Sequence, residues 1–91
     1  MFDIYTIMEF DKNKSLSNKK KYGIGFNEAQ LLWEDTERVL IPTKNLDEQR
    51  FLLLGKLKEK HWSAIFTLRK NRIRLISVRR ARDNEKEIYE G

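Results

Sequence analysis

One stretch of the sequence, residues 69–82, concentrates cationic side chains. It reads RKNRIRLISVRRAR and holds seven arginines and lysines in fourteen residues, with no acidic residue among them. The formal net charge of the whole chain is +5, so the remainder of the chain is slightly acidic. Arginine grips two phosphate oxygens with its planar guanidinium and keeps its charge at neutral pH. The stretch therefore predicts a surface for a polyanion, most simply a nucleic acid.

A cation-rich surface of this kind could also cleave a phosphodiester. Metal-free cleavage of RNA needs a base for the proton of the 2′-hydroxyl, cations for the charge that develops on phosphorus and an acid for the leaving oxygen. Arginine suits the second role, and lysine, tyrosine or glutamate could fill the other two. The same residues could bind nucleic acid without turning it over. From the residue types alone, both functions stay open.

Other classes of chemistry lack their residues. The chain has no cysteine and one histidine, His61, which we place in a loop with no recognisable serine partner. The acidic residues are scattered among helix ends and loops, so we expect no metal site. Gly23 and Gly25 alone do not make a phosphate loop or a dinucleotide fingerprint. We therefore expect no cofactor.

The sequence also predicts where the protein resides. No apolar run approaches the ~18 residues that span a membrane. The N-terminal residues lack the charged start and long apolar core of a signal peptide. The absence of cysteine permits a reducing compartment. We expect a cytoplasmic protein with no membrane partner.

The spacing of apolar residues and the positions of glycine and proline predict the helices and strands that position these side chains. At 91 residues the chain is expected to be a single domain, residues 1–91. Period-two patterns predict strands over 2–10, 38–41 and 50–57, the second ended by Pro42 and the third with a bulge at Gly55. Residues 43–48 are predicted to be a polar loop. The resulting class is α+β, a small antiparallel-rich sheet with two helices of the N-terminal half packed on one face and a short C-terminal helix.

The first two predicted helices differ in polarity. The first begins after the cap Asp11 and ends at Gly23. The second is capped by Asn27, stapled by Phe26 and amphipathic. Its predicted core side chains are Ala29, Leu32 and Trp33.

One face of the first helix could serve a site. Lys14, Asn18, Lys21 and Tyr22 stack on that face at helical spacing. Alternatively, the helix simply faces solvent and is held to the fold by Leu16 alone.

Residues 62–68 and 72–78 are predicted to form a hairpin. Lys70 and Asn71 suit a two-residue turn, because asparagine tolerates positive φ. One face of the hairpin is then apolar and should meet the helices, whereas the other is cationic and open. The predicted pairs on the apolar face are Leu68–Ile73, Phe66–Leu75 and Ala64–Ser77. The predicted pairs on the open face are Arg69–Arg72, Thr67–Arg74 and Ile65–Ile76, with Arg80 beyond them. A last helix is predicted with Asp83 as its cap and Ile88 or Tyr89 facing inward.

Several short motifs, in order and spacing, resemble one known family. They are Phe10-Asp11-x-x-Lys14-x-x-x-Asn18-x-x-Lys21-Tyr22-Gly23-x-x-Phe26-x-Glu28-Ala29, Arg50-Phe51-x-x-x-Gly55, Phe66-Thr67-x-Arg69, Ile73-Arg74-x-Ile76-Ser77-x-Arg79-Arg80-Ala81, then Glu85 and Tyr89. This pattern resembles the BrnT toxins of type II toxin–antitoxin systems. The resemblance implies a fold similar to RelE-like toxins and a ribonuclease activity that arrests translation. It further implies a BrnA-type antitoxin with a ribbon–helix–helix part, through which the complex binds operator DNA and represses its own operon.

The resemblance also implies which positions belong to the active surface. The catalytic candidates are Lys14, Lys21, Arg69, Arg79, Arg80 and Glu85. The RNA-binding candidates are Asn18, Tyr22, Arg72, Arg74 and Arg82. The family often has histidine where Tyr22 stands here, so the acid or base differs in this chain. The alternative is a toxin without turnover that serves as an antitoxin- or nucleic-acid-binding module.

Overall fold

The computed structural model of the chain describes residues 8–43 and 48–91. Within that part, the helices are α1 (Lys12–Tyr22), α2 (Phe26–Ala29) and α3 (Asp83–Glu90), and α2 runs into a 3₁₀ helix, Gln30–Glu34. The strands are β1 (Met8–Glu9), β2 (Val39–Thr43), β3 (Arg50–Leu57), β4 (Lys60–Arg69) and β5 (Arg72–Arg80). They form one sheet in the order β1-β5-β4-β3-β2, parallel between β1 and β5 and antiparallel elsewhere. The predicted α+β class is confirmed.

Two predictions fall partly outside the described residues. Residues 2–7 of the first predicted strand lie there, and the described end of that strand is β1. Residues 44–47 of the predicted polar loop lie there as well. No helix in the described ranges is long and apolar enough to cross a bilayer.

Two tight turns connect the three central strands. Lys70 and Asn71 both have positive φ, 51° and 65°, and they join β4 to β5 as predicted. Lys58 and Glu59 make the same kind of turn between β3 and β4. The loop after β3 is therefore only these two residues, and His61 lies in β4 rather than in the predicted loop.

A bulge interrupts the pairing of β4 with β5. Phe66 pairs with Leu75, but the preceding Ile65 pairs with Ser77, so Ile76 has no partner of its own. The predicted pairs Leu68–Ile73, Phe66–Leu75, Thr67–Arg74 and Arg69–Arg72 are confirmed. The predicted pairs Ala64–Ser77 and Ile65–Ile76 are wrong, because one extra residue shifts the register by one beyond it. Every side chain of β5 after Ile76 is thereby moved to the opposite face from the one predicted.

The core lies between the sheet and the helices of the N-terminal half. Ala29, Leu32 and Trp33 are buried there, as their spacing predicts. The buried cluster consists of Ile24, Phe26, Ala29, Leu32, Trp33, Leu53, Trp62, Ala64, Phe66, Ile73, Leu75 and Val78. The predicted cap at Asn27 is wrong. Gly25 caps α2, and Phe26 is its first residue with a buried side chain.

The roles predicted for Gly55 in β3 and for Pro42 in β2 are both wrong. Gly55 sits in regular pairing with Trp62, so the predicted bulge is wrong. A Cβ at Gly55 would lie 3.2 Å from Leu32 Cδ2, so the glycine lets the 3₁₀ helix approach the strand. Pro42 does not end β2, which continues to Thr43. An edge strand tolerates proline because its outer N–H groups are not needed for pairing.

Helix α1 is attached to the fold by a polar side chain. Its cap Asp11 and its terminal Gly23, at φ 85°, are as predicted. Leu16, however, is 69 % exposed and cannot hold the helix. Asn18 does so instead: its side-chain amide donates to Val78 O at 2.8 Å and its Oδ1 accepts from Val78 N at 3.2 Å. Asn18 thus pairs with the edge of β5 beyond the end of β1, as a neighbouring strand would.

The end of helix α3 lies near the turn that joins β3 to β4. Asp83 is its first residue, and the cap is Arg82, so the predicted cap is wrong. The hydroxyl of Tyr89 donates to Asp35 Oδ2 at 2.6 Å, whereas Ile88 is 48 % exposed. Of the two side chains predicted to face inward, Tyr89 does so. This helix brings Glu85 over the sheet.

Candidate functional site

The bulge in β5 decides which arginine meets α3. Because Ile76 is the extra residue, Arg79 pairs with Ser63 across the sheet. Two guanidinium nitrogens of Arg79 donate to the two carboxylate oxygens of Glu85, at 2.8 and 2.9 Å. The side chain of Arg79 is 20 % exposed and that of Glu85 is 8 % exposed. The pair is thus a bidentate ion pair, largely shielded from water, in which the arginine is the more exposed partner.

Further hydrogen bonds fix the carboxylate of Glu85. Besides Arg79, the hydroxyl of Ser63 and the backbone N–H of Arg82 donate to its Oε1, both at 2.8 Å. The hydrogen bonds from Arg79 contribute most to lowering the pKa of Glu85 to about 2, against the opposing effect of its burial. The same pair raises the pKa of Arg79. Glu85 is therefore a fixed anion at neutral pH that orients Arg79, and it has no proton to exchange there.

The end of α1 reaches the same place from the other side of β5. The left-handed Gly23 stops the helix directly after Lys21 and Tyr22. Tyr22 is 37 % exposed and lies near enough to Arg79 for an electrostatic interaction. Lys21 Nζ lies 5.2 Å from the centre of the Tyr22 ring. A phenol thus lies near the fixed arginine, and an ammonium group lies beside the ring of that phenol.

Arg80 lies on the opposite face from the one predicted. Its guanidinium carbon is 5.5 Å from the centre of the Trp62 ring, on the side of the sheet that carries the core. The reason is again the bulge, which exchanges the faces of Arg79 and Arg80. Arg80 remains exposed and adjoins Arg79 along the chain.

A second group of cations lies at the other end of the hairpin. Arg69 and Arg72 flank the turn, about 25 Å from Arg80 at about 3.3 Å per strand residue. Glu9 pairs with Arg72 at 3.1 Å and with Arg74 at 3.8 Å. A cleft of about 450 Å³ lies here, lined by Glu9, Arg69, Lys70 and Arg72. The continuous basic run of the sequence is therefore split into two surfaces.

A comparison with protein families connects this arrangement to a known group. The sequence pattern of the ribonuclease toxin BrnT of type II toxin–antitoxin systems matches residues 10–85. The chain belongs to the BrnT family. The match begins just before α1 and ends at Glu85, so it includes both partners of the buried ion pair. No curated protein matches the chain.

Membership in the BrnT family gives the coarse function. These proteins are ribonuclease toxins, so RNA is the target, and a type II system pairs the toxin with a protein antitoxin. The cations around Arg79 suit both, because RNA and an acidic protein segment present similar charges. Family membership does not assign the roles of individual residues, which rest on the geometry.

The geometry of this BrnT-family chain separates the candidate residues into groups. Arg79, Glu85 and Tyr22 come together, Lys21 lies beside the Tyr22 ring, and Arg80 and Arg82 adjoin them along the chain. Arg69, Arg72 and Arg74 lie at the far end of the hairpin. Lys14 is exposed, and its ammonium group has no ion-pair partner among the described residues. Asn18 is 7 % exposed and bonds backbone groups of Val78 and Ile24, so its amide is directed into the fold.

Two side chains of the BrnT-family site were not foreseen from the sequence. Ser63 touches Glu85, which lies 22 residues further along the chain. Trp62 forms the surface on which Arg80 rests. Neither carries a local motif, since only the strand register brings them to these partners.

Proposed function

We propose that this protein is a metal-independent endoribonuclease that cleaves RNA by attack of the 2′-hydroxyl. The observation that carries the proposal is Arg79, which Glu85 fixes through two hydrogen bonds beside the exposed end of α1. A guanidinium held in this way is ready to stabilise charge on a phosphate without first being oriented. Cations then supply the charge stabilisation that a metal ion provides in other nucleases.

The surrounding groups suit the remaining steps. A base at the end of α1, Tyr22 or Lys21, accepts the 2′-hydroxyl proton, and the oxygen attacks phosphorus. Arg79 binds the phosphate oxygens as charge develops on them. The bond to the 5′-oxygen breaks, and that oxygen takes a proton from the second of the two groups. The products are a 2′,3′-cyclic phosphate and a 5′-hydroxyl.

The other cations extend the RNA surface in this proposal. Arg80, Arg82 and Lys14 hold nucleotides next to the cleaved bond. Arg69, Arg72 and Arg74 bind the backbone some nucleotides away, because at about 3.3 Å per strand residue β5 separates Arg72 from Arg79 by roughly 20 Å and Arg74 from Arg79 by roughly 15 Å. Arg69 thereby moves from the catalytic candidates to the binding surface.

The antitoxin completes the proposal. We propose a BrnA-type antitoxin with a ribbon–helix–helix part, acidic where it covers Arg79 and its neighbours. Toxin bound in this way cannot reach RNA, and released toxin arrests translation in the cytoplasm by degrading its templates. Operator DNA is bound by the complex only through the antitoxin.

The chemistry of cleavage is tested with a defined RNA that carries a single 2′-deoxynucleotide at a mapped cleavage site. We expect the native RNA to give 2′,3′-cyclic phosphate ends and the substituted RNA to resist cleavage at that bond alone. Products with free 3′-hydroxyl ends, or equal cleavage of both RNAs, would contradict the mechanism. A protein that binds the RNA but never cleaves it would instead support the non-catalytic module, which the tyrosine at position 22 favours.

A further inference from the structure

A second cleft opens on the core side of the sheet, next to Trp62. Its volume is about 220 Å³, roughly half that of the cleft at the hairpin turn. Apolar lining comes from Trp62 and Leu57, and polar lining from Glu28, Lys58 and Lys60. A cleft that combines apolar side chains with a few convergent polar groups is a common form of site for a small organic group.

This cleft adjoins the proposed active surface. Gly23 lines it and directly follows Tyr22, the neighbour of Arg79. Arg80 lies over the Trp62 ring at 5.5 Å on the core side of the sheet, and in the chain it directly follows Arg79, which faces the other side. A strand of RNA with its phosphate at Arg79 can therefore turn around the end of β5 and present an adjacent base to the cleft. Arginine planes and aromatic rings are the surfaces on which proteins stack unpaired bases.

Glu28 contributes a carboxylate to the lining of the cleft. Its Oε1 lies 2.6 Å from Lys19 Nζ, whereas its Oε2 is only loosely approached by Lys58 Nζ, at 3.6 Å. The hydrogen bond from Lys19 lowers the pKa of Glu28, so the group is a carboxylate at neutral pH. The side chain is 34 % exposed. A fixed, accessible anion flanked by lysines thus faces the cleft.

We propose that the cleft binds a guanine base of the RNA beside the cleaved phosphodiester, with Glu28 as the residue that selects it. This inference rests on the proposed function. Guanine presents two adjacent donors, N1–H and the 2-amino group, to a carboxylate, and it presents acceptors at O6 and N7 to lysine. Cytosine and adenine offer one amino group without the second donor, and uracil offers one ring N–H. Guanine alone satisfies both the anion and the flanking cations.

The test uses binding, so that its result does not depend on cleavage. The ligands are 2′-O-methyl oligouridines that contain one central guanosine or one central inosine, and both lack the attacking hydroxyl. Inosine differs from guanosine only in lacking the 2-amino group. Fluorescence anisotropy should show that the native protein binds the guanosine ligand about tenfold more tightly, the effect of one hydrogen bond to a charged group.

A matched pair of variants assigns the selection to one carboxylate. With Glu28→Gln the two ligands should bind equally, because the neutral amide no longer favours paired donors. With Glu34→Gln, on the neighbouring 3₁₀ helix and outside the cleft, the tenfold preference should persist. Retained preference in Glu28→Gln would overturn the assignment.

Failure of this inference is distinguishable from failure of the proposed function. Equal binding of guanosine and inosine by the native protein would overturn the guanine site even if the RNA is cleaved, and would leave the cleft to a protein side chain such as one from the antitoxin. A clear preference for guanosine together with no cleavage of ordinary RNA would uphold the site and contradict the ribonuclease mechanism.

Discussion

Glu85 and Arg79 stabilise each other: the arginine donates hydrogen bonds to a buried carboxylate, and the carboxylate fixes the orientation of the guanidinium. A buried carboxylate is costly unless donors surround it, and Glu85 has Arg79, Ser63 and the backbone of Arg82. Arg79, in turn, loses the freedom to rotate that an exposed arginine would have. The ion pair therefore fixes the orientation of one cation of a basic sequence, as the proposed role of Arg79 as a phosphate ligand requires.

The positioning role of Glu85 predicts a specific defect in Glu85→Gln. The glutamine keeps the shape and can still accept from Ser63 and Arg82, but it binds Arg79 without charge. We expect kcat for RNA cleavage to fall about 10- to 100-fold with KM nearly unchanged, and the free energy of unfolding to fall by about 1–3 kcal/mol. Urea unfolding and steady-state kinetics measure both. Glu87→Gln, an exposed position on the same helix, is the control, and equal effects of the two variants would contradict the positioning role.

Glu85 also predicts how stability depends on pH. Its pKa is about 2 in the folded protein and 4.5 in its unperturbed form. A lowered folded-state pKa gives stability that is present above pH 4.5 and is lost as the pH falls towards 2. We expect a loss of about 3 kcal/mol over that range from this group. The pH profile of unfolding should be flatter for Glu85→Gln than for the native protein, and parallel profiles would show that Glu85 is not the titrating group.

At the scale of the elements, the proposed active surface depends on which elements contact β5 on each side. On one side the bulge at Ile76 directs Arg79 to α3 and Arg80 to Trp62. On the other side, within the described part of the chain, β1 pairs with Ile73 and Arg74, and α1 covers the edge further along the strand. This arrangement covers an otherwise free strand edge and places Tyr22 next to Arg79.

Asn18 is the residue that makes this coverage possible, and Asn18→Ala tests it. The substitution removes three buried hydrogen bonds and leaves backbone groups of Val78 and Ile24 without partners. We expect the free energy of unfolding to fall by about 2–4 kcal/mol. The exposed neighbour Ser17→Ala should change it by less than about 0.5 kcal/mol. Normal stability of Asn18→Ala with lost RNA binding would instead favour the direct contact with RNA implied by the family resemblance.

The elements also show what local sequence can and cannot predict. The turn at Lys70 and Asn71 was predictable because positive φ is a local requirement of those two residues. The bulge was not, since a single skipped residue leaves no mark on the composition of β5. The attachment of α1 was missed for a related reason: one of the two alternatives had Leu16 alone holding the helix, whereas Asn18 does so through its bonds to Val78, 60 residues away.

The candidate site was predictable only to the level of residue types. The basic run and the family resemblance identified Arg79 and Glu85, but they gave no reason to separate these residues from Arg69. That separation comes from the length of a regular strand. Ser63 could not be identified, because its role arises only from the register with Arg79 and the placement of α3.

On the scale of the whole molecule, one basic sequence contributes to two surfaces that hold their cations differently. The hairpin turn carries cations that are exposed and only loosely paired, at 3.1 to 3.8 Å from acidic partners. The opposite end carries an arginine fixed at 2.8 and 2.9 Å by a shielded carboxylate. Loosely held cations bind a polyanion, whereas a preorganised one can accelerate its cleavage.

The most direct test of this account is the digestion of a defined RNA in excess chelator by the native protein, Arg79→Lys and Arg72→Lys. Both substitutions keep the charge and remove the guanidinium fork. We predict that the native protein and Arg72→Lys cleave at rates within about threefold of each other, while folded Arg79→Lys is slower by about 10² to 10³. Cleavage that stops in chelator and returns with added metal, or an Arg79→Lys variant as fast as the native protein, would contradict the account.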